Sequence, residues 1–258
     1  MINEIYFNET LIKTRTYKYS SINYIDYKDA KNVEILHDID NSILWLDTTK
    51  KRPLLYYATN DFSQVVKALM DIGGKLQLNF VPKEYVTELN AHGFIEWGEY
   101  QGFFSRHIAQ ILTDFPCDKP TALAKLDDAK DVMAVVNSCE LQSRGFEGHS
   151  LSFYEEMASH GKILVFRKNK AIVGVCIVDI YDSGMPTLHI REIATIPAYQ
   201  GQGIAKKLLS QAFRWGMEHG ASQAFLMADI INTNAISLYE KYGFVPDGDE
   251  SELQMIRE

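Results

Sequence analysis

This 258-residue chain has few cysteines, no long apolar run and no excess of positive charge. The three cysteines, Cys117, Cys139 and Cys176, are far apart and odd in number. This argues against a disulfide framework and against the spacing of a metal-ligand cluster. The longest purely apolar run is Ala171–Val178, which is too short to cross a bilayer. We therefore expect free thiols, no metal and no membrane partner.

The charge balance and the first residues narrow the class of protein further. The formal net charge is −8 at pH 7, whereas binding to a nucleic-acid backbone favours a basic surface. We therefore expect no nucleic-acid partner. Met1 is followed by Ile-Asn-Glu-Ile, which lacks the basic and apolar regions of a signal peptide, so the expected compartment is the cytoplasm. The sequence leaves a monomer and a homodimer open.

Helix and strand signals alternate along the chain, and their pattern changes near Phe115–Pro120. Two prolines and several polar residues occur there, which is typical of a domain boundary. We predict a smaller N-terminal α/β domain over residues 1–116, without a catalytic role, and a catalytic domain over residues 117–258. In the second domain two helices should precede a meander of three strands, Lys162–Arg167, Ala171–Tyr181 and Leu188–Ile196.

The stretch 188–207 is the one around which this second domain is organised. An extended apolar run stops at Pro197, and a short turn carrying Gly201 and Gly203 follows. Apolar residues then recur every three or four positions, which predicts an amphipathic helix over 204–218. The first turn of a helix offers unpaired N–H groups and the positive end of a dipole, and glycines let a ligand approach the backbone. The stretch therefore predicts a phosphate-binding site.

Two motifs in the second half resemble those of the GCN5-related N-acetyltransferase (GNAT) superfamily. In the pyrophosphate loop Gln/Arg-x-x-Gly-x-Gly/Ala, the matching residues are Gln200, Gly203 and Ala205. The pattern Asn-x-x-Ala-x-x-Leu-Tyr-x-x-x-Gly-Phe is met by Asn232, Ala235, Leu238, Tyr239, Gly243 and Phe244. The resemblance implies an α/β (α+β) fold with a mixed, largely antiparallel central sheet flanked by helices.

The resemblance also implies a reaction, the transfer of an acetyl group from acetyl-CoA to a primary amine by direct attack. The acceptor would be a small molecule or a peptide. The pyrophosphate would be bound by Gln200, Gly201, Gln202, Gly203, Ile204 and Ala205, with Lys206 within reach of the CoA phosphates. The pantetheine arm would pair with the backbone of Ile193, Ala194 and Thr195, and Asn232 would hydrogen-bond pantetheine or the adjoining groups of CoA.

Two side chains are candidates for proton transfer. Tyr239 holds the family position of the general acid that protonates the leaving thiolate, and Glu192 is our candidate for the base that deprotonates the amine. Each has a structural alternative. Tyr239 would also suit a hydrophobic core, and Glu192 would also suit an ion pair with Arg191.

The resemblance also implies that the acceptor is recognised near the loop that joins the first two helices of the catalytic domain. Arg144, Glu147 and His149 lie in this loop, and His189 lies on the strand before Glu192. Solvated loop residues and a structural histidine would look the same in sequence. Three other functions also stay open: an acyl-CoA sensor without turnover, the use of another acyl donor, and acetylation of a protein amine.

A weak repeat relates the two halves of the chain. His92-Gly93-Phe94 precedes Tyr242-Gly243-Phe244 by 150 residues, and Leu89 stands where the second half has Tyr239. No Gln-Gly-Gln-Gly turn occurs between Ala58 and Gln64. Our hypothesis is that the first half is a degenerate GNAT-like copy, with a coincidence of common elements as the alternative.

Overall fold

The structure is a computed structural model, which describes residues 2–39, 41–114, 122–139, 144, 148–182, 184–248 and 251–258. The strands are β1 (Tyr19–Ser20), β2 (Glu34–Ile39), β3 (Ser42–Asp47), β4 (Leu54–Thr59), β5 (Leu76–Leu78), β6 (Ile95–Ser105), β7 (Ala122–Leu123), β8 (Ile163–Lys168), β9 (Ala171–Asp182), β10 (Pro186–Thr195), β11 (Gln223–Asp229), β12 (Val245–Pro246) and β13 (Glu252–Arg257). The helices are α1 (Glu4–Thr14), α2 (Tyr27–Ala30), α3 (Ser63–Asp71), α4 (Val86–Ala91), α5 (Ile108–Asp114), α6 (Ala129–Asn137), α7 (Leu151–Ser159), α8 (Ile204–Glu218) and α9 (Thr233–Lys241).

The chain divides into two compact units. The N-terminal unit comprises residues 1–99 and 251–258, and the C-terminal unit comprises residues 100–250. This division differs from the predicted boundary between residues 116 and 117. Strand pairing accounts for the difference, because Tyr100–Ser105 pairs with β11 whereas β13 pairs with β5.

The C-terminal unit contains the sheet that the sequence predicts. Its strand order is β6-β11-β10-β9-β8-β7. The β10–β11 pair is parallel and the remaining neighbours in this order are antiparallel. The predicted fold class, a mixed and largely antiparallel sheet flanked by helices, is therefore confirmed.

Helices cover the two faces of this sheet. Alternate residues of a strand point to opposite faces, and in β9 Cys176 and Val178 belong to one apolar cluster while Val175 and Ile177 belong to another. We call the first the α8 cluster; its members include Leu188, Ile190, Leu208, Leu209, Phe213 and Tyr239. The second, the α6–α7 cluster, includes Val132, Val136, Tyr154, Met157, Ile163 and Ala194.

A glycine in β9 fixes how closely the start of α8 approaches the sheet. A Cβ built on Gly174 would lie 2.6 Å from Ile204 Cγ2 and 3.1 Å from Leu208 Cδ1, closer than carbon atoms pack. Gly174 is the register partner of Thr195 at the end of β10. The missing side chain therefore lets the first turn of α8 lie against the end of β10.

The N-terminal unit repeats part of this arrangement. Its strand order is β2-β3-β4-β5-β13, with β1 on β4, and the β4–β5 pair is parallel. A helix, α3, connects these parallel strands, as α8 connects β10 and β11. In each unit the next strand of the sheet is antiparallel and comes from the other half of the sequence. This strand is β6 beside β11 in the C-terminal unit and β13 beside β5 in the N-terminal unit. A common origin of the two halves stays a hypothesis.

Among the described residues, no helix combines the length and the apolar character that a membrane crossing would require.

Because β13 completes the core of the N-terminal unit, a truncation in this last strand should loosen that unit. Met255 is 0% exposed and packs with Leu55, Leu76 and Leu78. We predict that Met255→Ala lowers the free energy of unfolding by about 2–5 kcal/mol and reduces amide protection in β4 and β5. The matched control is Met70→Ala, because Met70 is 62% exposed in the same unit. Similar losses in both variants would contradict the assignment of β13 to this core.

Candidate active site

The parallel strands β10 and β11 separate, and a cavity of about 1090 Å³ opens where they part. Their pairing runs from Thr187 and Gln223 to Ile190 and Leu226. Arg191 follows as an extra residue, because Ile190 pairs with Val178 and Glu192 with Ile177; such a bulge bends a strand. The cavity lies entirely within the C-terminal unit, and its lining is Val136, Cys139, Glu192, Ile193, Ala194, Thr195, Tyr199, Gln200, Gly201, Gly203, Ile204, Ala205, Lys206, Ile231, Asn232, Thr233, Asn234, Ala235, Leu238, Tyr239, Lys241 and Tyr242.

One wall of the cavity is a strand edge that β11 has left. On their other side, Ile193, Ala194 and Thr195 pair with Cys176, Val175 and Gly174 of β9. Alternate backbone groups of a strand point to its two edges. The edge of β10 that faces the cavity can therefore pair with an extended ligand, as the sequence predicts for these three residues.

A second wall is the turn that leads into α8. Gly201 and Gly203 both have φ of +74°, a conformation that favours glycine. A Cβ on either residue would meet no atom within 4 Å, so the space beside the backbone is open. Gly203 is the N-cap of α8 and provides no side-chain cap. The first turn of α8 therefore presents main-chain donors and the positive end of its dipole at the cavity.

The remaining polar residues of this turn have different surroundings. Gln200 lines the cavity, and its Nε2 donates to the carbonyl of Thr195 at 3.0 Å, which fixes the turn to the end of β10. Lys206 also lines the cavity. Gln202 was predicted to bind the cofactor too, but it is absent from the lining, and its Oε1 accepts a hydrogen bond from Lys168.

Asn232 begins the helix on the opposite wall. Its Oδ1 accepts a hydrogen bond from the Ala235 amide at 3.2 Å, which caps α9. Asn232 also lines the cavity. Capping occupies the side-chain oxygen, so the NH₂ group is the part of the side chain suited to donate to a ligand.

Tyr239 lies between the cavity and the hydrophobic core. It is 6% exposed, belongs to the α8 cluster and lines the cavity. Burial raises the pKa of its phenol, and the charges of Cys176 and Glu192 raise it further. The sequence left a place in the core and a place at the site as alternatives for Tyr239, and its side chain belongs to both. Because its pKa is raised, its hydroxyl is protonated at neutral pH.

Glu192 lines the cavity immediately after the bulge. The predicted alternative for Glu192 was an ion pair with Arg191, but the side chain that it contacts is that of His149. His149 Nε2 lies 3.4 Å from Glu192 Oε1, and the two side chains are 33% and 23% exposed. The His149 ring packs on Phe153, with 4.0 Å between ring centroids. The structure thus brings together one predicted acceptor residue and the candidate base.

Arg144 has a different environment from the one expected for an acceptor contact. Its Nη2 lies 2.9 Å from Asp229 Oδ1, and its Nε and backbone N–H donate to Oδ2 at 3.2 and 2.8 Å. The Asp229 side chain is 0% exposed and that of Arg144 is 35% exposed. Arg144 is therefore held at the end of β11. Glu147 lies outside the described residues.

His189 lies on β10 and is absent from the cavity lining. Its ring stacks near those of Tyr181 and Phe225, at 4.9 and 5.6 Å between centroids. Burial lowers its pKa to about 4, assisted by the positive charge of Arg191 and opposed by Asp179. His189 is therefore neutral at pH 7.

Sequence motifs gave no signal for the part of the lining that comes from α6 and its end. Val136 and Cys139 line the cavity, and Cys139 Sγ lies 3.3 Å from the Thr195 carbonyl oxygen. Cys139 and Cys176 are free thiols, and burial raises the pKa of Cys176, which makes that thiol unreactive. Within the described ranges, no cluster of three or more His, Cys, Asp or Glu side chains could hold a metal ion.

The ion pair between Arg144 and Asp229 leads to a pH-dependent prediction. Burial by itself raises the pKa of Asp229, but hydrogen bonds from Arg144 and from the Ile231 amide outweigh it and hold the pKa below its usual range. Because the folded pKa is the lower one, this stabilisation is present above about pH 4 and is lost as the pH falls through the folded pKa.

We predict that Arg144→Met lowers the free energy of unfolding by about 2 kcal/mol at pH 7. This is less than the loss for a fully buried pair, because Arg144 is partly exposed. The difference from the parent protein should shrink as the pH falls through the lowered pKa of Asp229 and its carboxylate becomes protonated. Urea unfolding at several pH values measures it. The control is Arg167→Met, which removes a more exposed pair with Asp128 and should cost under about 1 kcal/mol. A difference independent of pH would contradict this role.

Comparison with known proteins points to one family. Residues 130–244 match the model of the Acetyltransferase (GNAT) family. "Probable N-acetyltransferase family 8 member 5" of Mus musculus is 30% identical over 102 residues, which is 38% of this chain and 45% of that protein. "N-alpha-acetyltransferase MAK3" of Arabidopsis thaliana is 32% identical over 83 residues, which is 32% of this chain and 43% of that protein. The similarity thus spans less than half of either curated relative.

Solved structures resemble a larger part of the chain. A functionally unknown conserved protein from Staphylococcus epidermidis has a TM-score of 0.59 and 17% identity, and the match covers 92% of this chain and 99% of that one. A GNAT-family acetyltransferase from Colwellia psychrerythraea has a TM-score of 0.57 and 11% identity, covering 99% and 97%. At these identities the likeness establishes the fold alone. The family match, over residues 130–244, identifies the part of the chain that is similar to the Acetyltransferase (GNAT) family.

Proposed function

We propose that the C-terminal unit is an N-acetyltransferase that moves an acetyl group from acetyl-CoA to a primary amine of a small molecule, by direct attack. The observation that carries this proposal is the cavity itself. It brings an open strand edge, an uncapped helix N-terminus, Tyr239 and Glu192 to one place. Acetyl-CoA, when bound, supplies an acetyl group activated as a thioester.

The residues around the cavity fit this co-substrate in two separate places. The turn at Gly201 and Gly203 has room that a Cβ would fill and donors from the first turn of α8, which suits a pyrophosphate. The edge at Ile193–Thr195 suits the amide groups of a pantetheine arm, because these can pair like an added strand. A main-chain N–H on this edge would also polarise the thioester carbonyl. Asn232 would donate from its NH₂ group to the same arm.

The role of Tyr239 is to hold a proton where the thiolate leaves. Its raised pKa keeps the phenol protonated, which is the state that a general acid needs. The apolar surroundings in the α8 cluster exclude water from one side of the ring. They therefore strengthen a hydrogen bond between the phenol and a sulfur atom that gains negative charge.

The role of Glu192 is to accept a proton from the attacking amine, directly or through a water molecule. An ammonium group has no lone pair, so the amine must be deprotonated before it attacks. His149 at 3.4 Å orients the carboxylate and limits its rotation. Glu192 and Tyr239 both line the cavity, which supports a role for the base and the acid at one reacting centre.

The names of the two curated relatives support an amine acceptor, since each contains the term N-acetyltransferase or N-alpha-acetyltransferase. The Arabidopsis protein is an N-alpha-acetyltransferase by name, which keeps a peptide amine as the second candidate. A sensor that binds acyl-CoA without turnover is distinguished by assay: thiol release with any amine excludes it, whereas binding without release from a broad amine panel supports it. Acyl-CoA donors of increasing chain length in the same assay separate acetyl transfer from longer acyl transfer.

We predict that Tyr239→Phe lowers kcat by roughly 10²- to 10⁴-fold and leaves the Kd for acetyl-CoA within about twofold, because the ring keeps its packing. Steady-state thiol release measures kcat, and calorimetric titration measures the Kd for acetyl-CoA. Tyr199→Phe is the matched control, since Tyr199 also lines the cavity, and its kcat should change little. Parallel losses in kcat and affinity, or none in either, would count against the general-acid role.

We predict that Glu192→Gln lowers kcat/KM for the amine by roughly 10²-fold or more at pH 7. The defect should diminish towards pH 9, because a primary amine with a pKa near 10 then supplies more of its own neutral form. A pH–rate profile measures this, with Glu155→Gln, an exposed carboxylate on α7, as control. A defect of the same size at every pH would mean that Glu192 binds the substrate and does not act as the base.

A further inference from the structure

The bulge in β10 changes which side chains share a face of the sheet. Before the bulge, Leu188 and Ile190 pack into the α8 cluster. After it, Ile193 packs against the α8 cluster and Ala194 belongs to the α6–α7 cluster. The alternation is therefore shifted by one residue at Arg191, as two residues oppose one in a bulge.

Ordinary alternation puts His189 on the α6–α7 side of the sheet, and the shift adds Arg191 and Glu192 to the same side. Contacts with α7 and the residues before it agree with that placement. The Arg191 guanidinium lies 5.6 Å from the centroid of the Phe153 ring, and His149 packs on the same ring and pairs with Glu192. Adjacent Cα atoms are about 3.8 Å apart, so one small molecule can contact both Arg191 and Glu192.

Arg191 has no carboxylate partner among the described residues. Its Nη1 donates to the Tyr181 hydroxyl at 3.2 Å. Its Nε is buried, and no hydrogen-bond partner is found for it in the described part of the chain. Two other arginines of the unit contrast with this, because Arg144 pairs with Asp229 and Arg167 with Asp128. A partly desolvated guanidinium with a vacant donor is suited to a carboxylate or phosphate oxygen.

His189 offers a second donor beside this group. Its Nδ1 is buried, again without a partner among the described residues. The neutral ring carries one N–H and one lone pair, so it can donate without adding a charge. Nearby Asp179 has its own cation, since Lys162 Nζ lies 2.6 Å from Asp179 Oδ1.

We propose that Arg191, with Tyr181 and His189, binds an anionic group on the acceptor, a carboxylate or a phosphate. The acceptor is then a small amine that carries an anion close to its amino group, such as an amino acid or an amino-alkyl phosphate. This inference rests on the proposed acetyl transfer and adds the substrate class. The amine would lie at Glu192 and the anion at Arg191, which orients the acceptor towards the thioester.

The test is a steady-state assay with matched amines. L-alanine and L-phenylalanine are each compared with their amide and their decarboxylated amine, and phosphoethanolamine is compared with ethanolamine. For the unaltered protein, kcat/KM should be roughly 10- to 100-fold higher with the anion-bearing member of at least one set. The carboxylate and phosphate sets show which anion is preferred.

Variants identify the residue responsible. Arg191→Met should abolish the preference and leave kcat/KM for the neutral amines within about threefold. Arg191→Lys, which keeps the charge but loses the planar fork, should retain part of it. Arg167→Met is the control and should keep the full preference. Acetyl-CoA affinity and thermal unfolding are measured for each variant to exclude misfolding.

Equal kcat/KM within every set of amines would overturn the anion site and leave acetyl transfer standing. The same holds if Arg191→Met lowers kcat/KM equally for all amines. Absence of turnover with any amine overturns the proposed function instead. In that case calorimetric titration of phosphoethanolamine and L-phenylalanine into the CoA-loaded protein still decides the anion site. Binding that Arg191→Met removes supports it, and no binding overturns it.

Discussion

The parting of β10 from β11 is the constraint on which the rest of the candidate site depends. Parallel pairing ends at Ile190 and Leu226, and the extra residue Arg191 bends β10 away at that point. Within the described part of the chain, the bend leaves one edge of Ile193–Thr195 without a strand partner, and Gly174 lets the first turn of α8 lie beside its end. A backbone that could have completed a sheet is available for a ligand, and donors for an anion lie next to it.

The N-terminal unit shows what the same order of elements does without these features. There the parallel strands β4 and β5 are also joined by a helix, but the N-cap position of α3 is Phe62, which is fully buried. Leu89, which the hypothesis of two related halves sets against Tyr239, is fully buried in the core of that unit. Phe62 at the start of α3 and Leu89 in α4 therefore contribute to packing. By contrast, α8 begins beside open space, and Tyr239 of α9 lines a cavity.

Sequence patterns predicted the parts of the site that depend on local backbone geometry. The helix 204–218 follows from the spacing of its apolar residues, and the turn before it follows from its two glycines; both signals are local. The cap that Asn232 provides for α9 was not predicted. Arg144 and Gln202 show what local patterns miss, because their partners Asp229 and Lys168 are distant in sequence. The domain boundary was placed differently for the same reason, since pairing of β13 with β5 leaves no trace in either strand alone.

The central claim is that CoA binds along the open edge of β10 and at the start of α8. Hydrogen–deuterium exchange with and without acetyl-CoA tests it most directly. The account predicts added protection of amides at 193–195 and at 203–206, with none at 54–64 in the N-terminal unit. Binding that protects neither segment of the C-terminal unit, or that protects residues 54–64 instead, would contradict it.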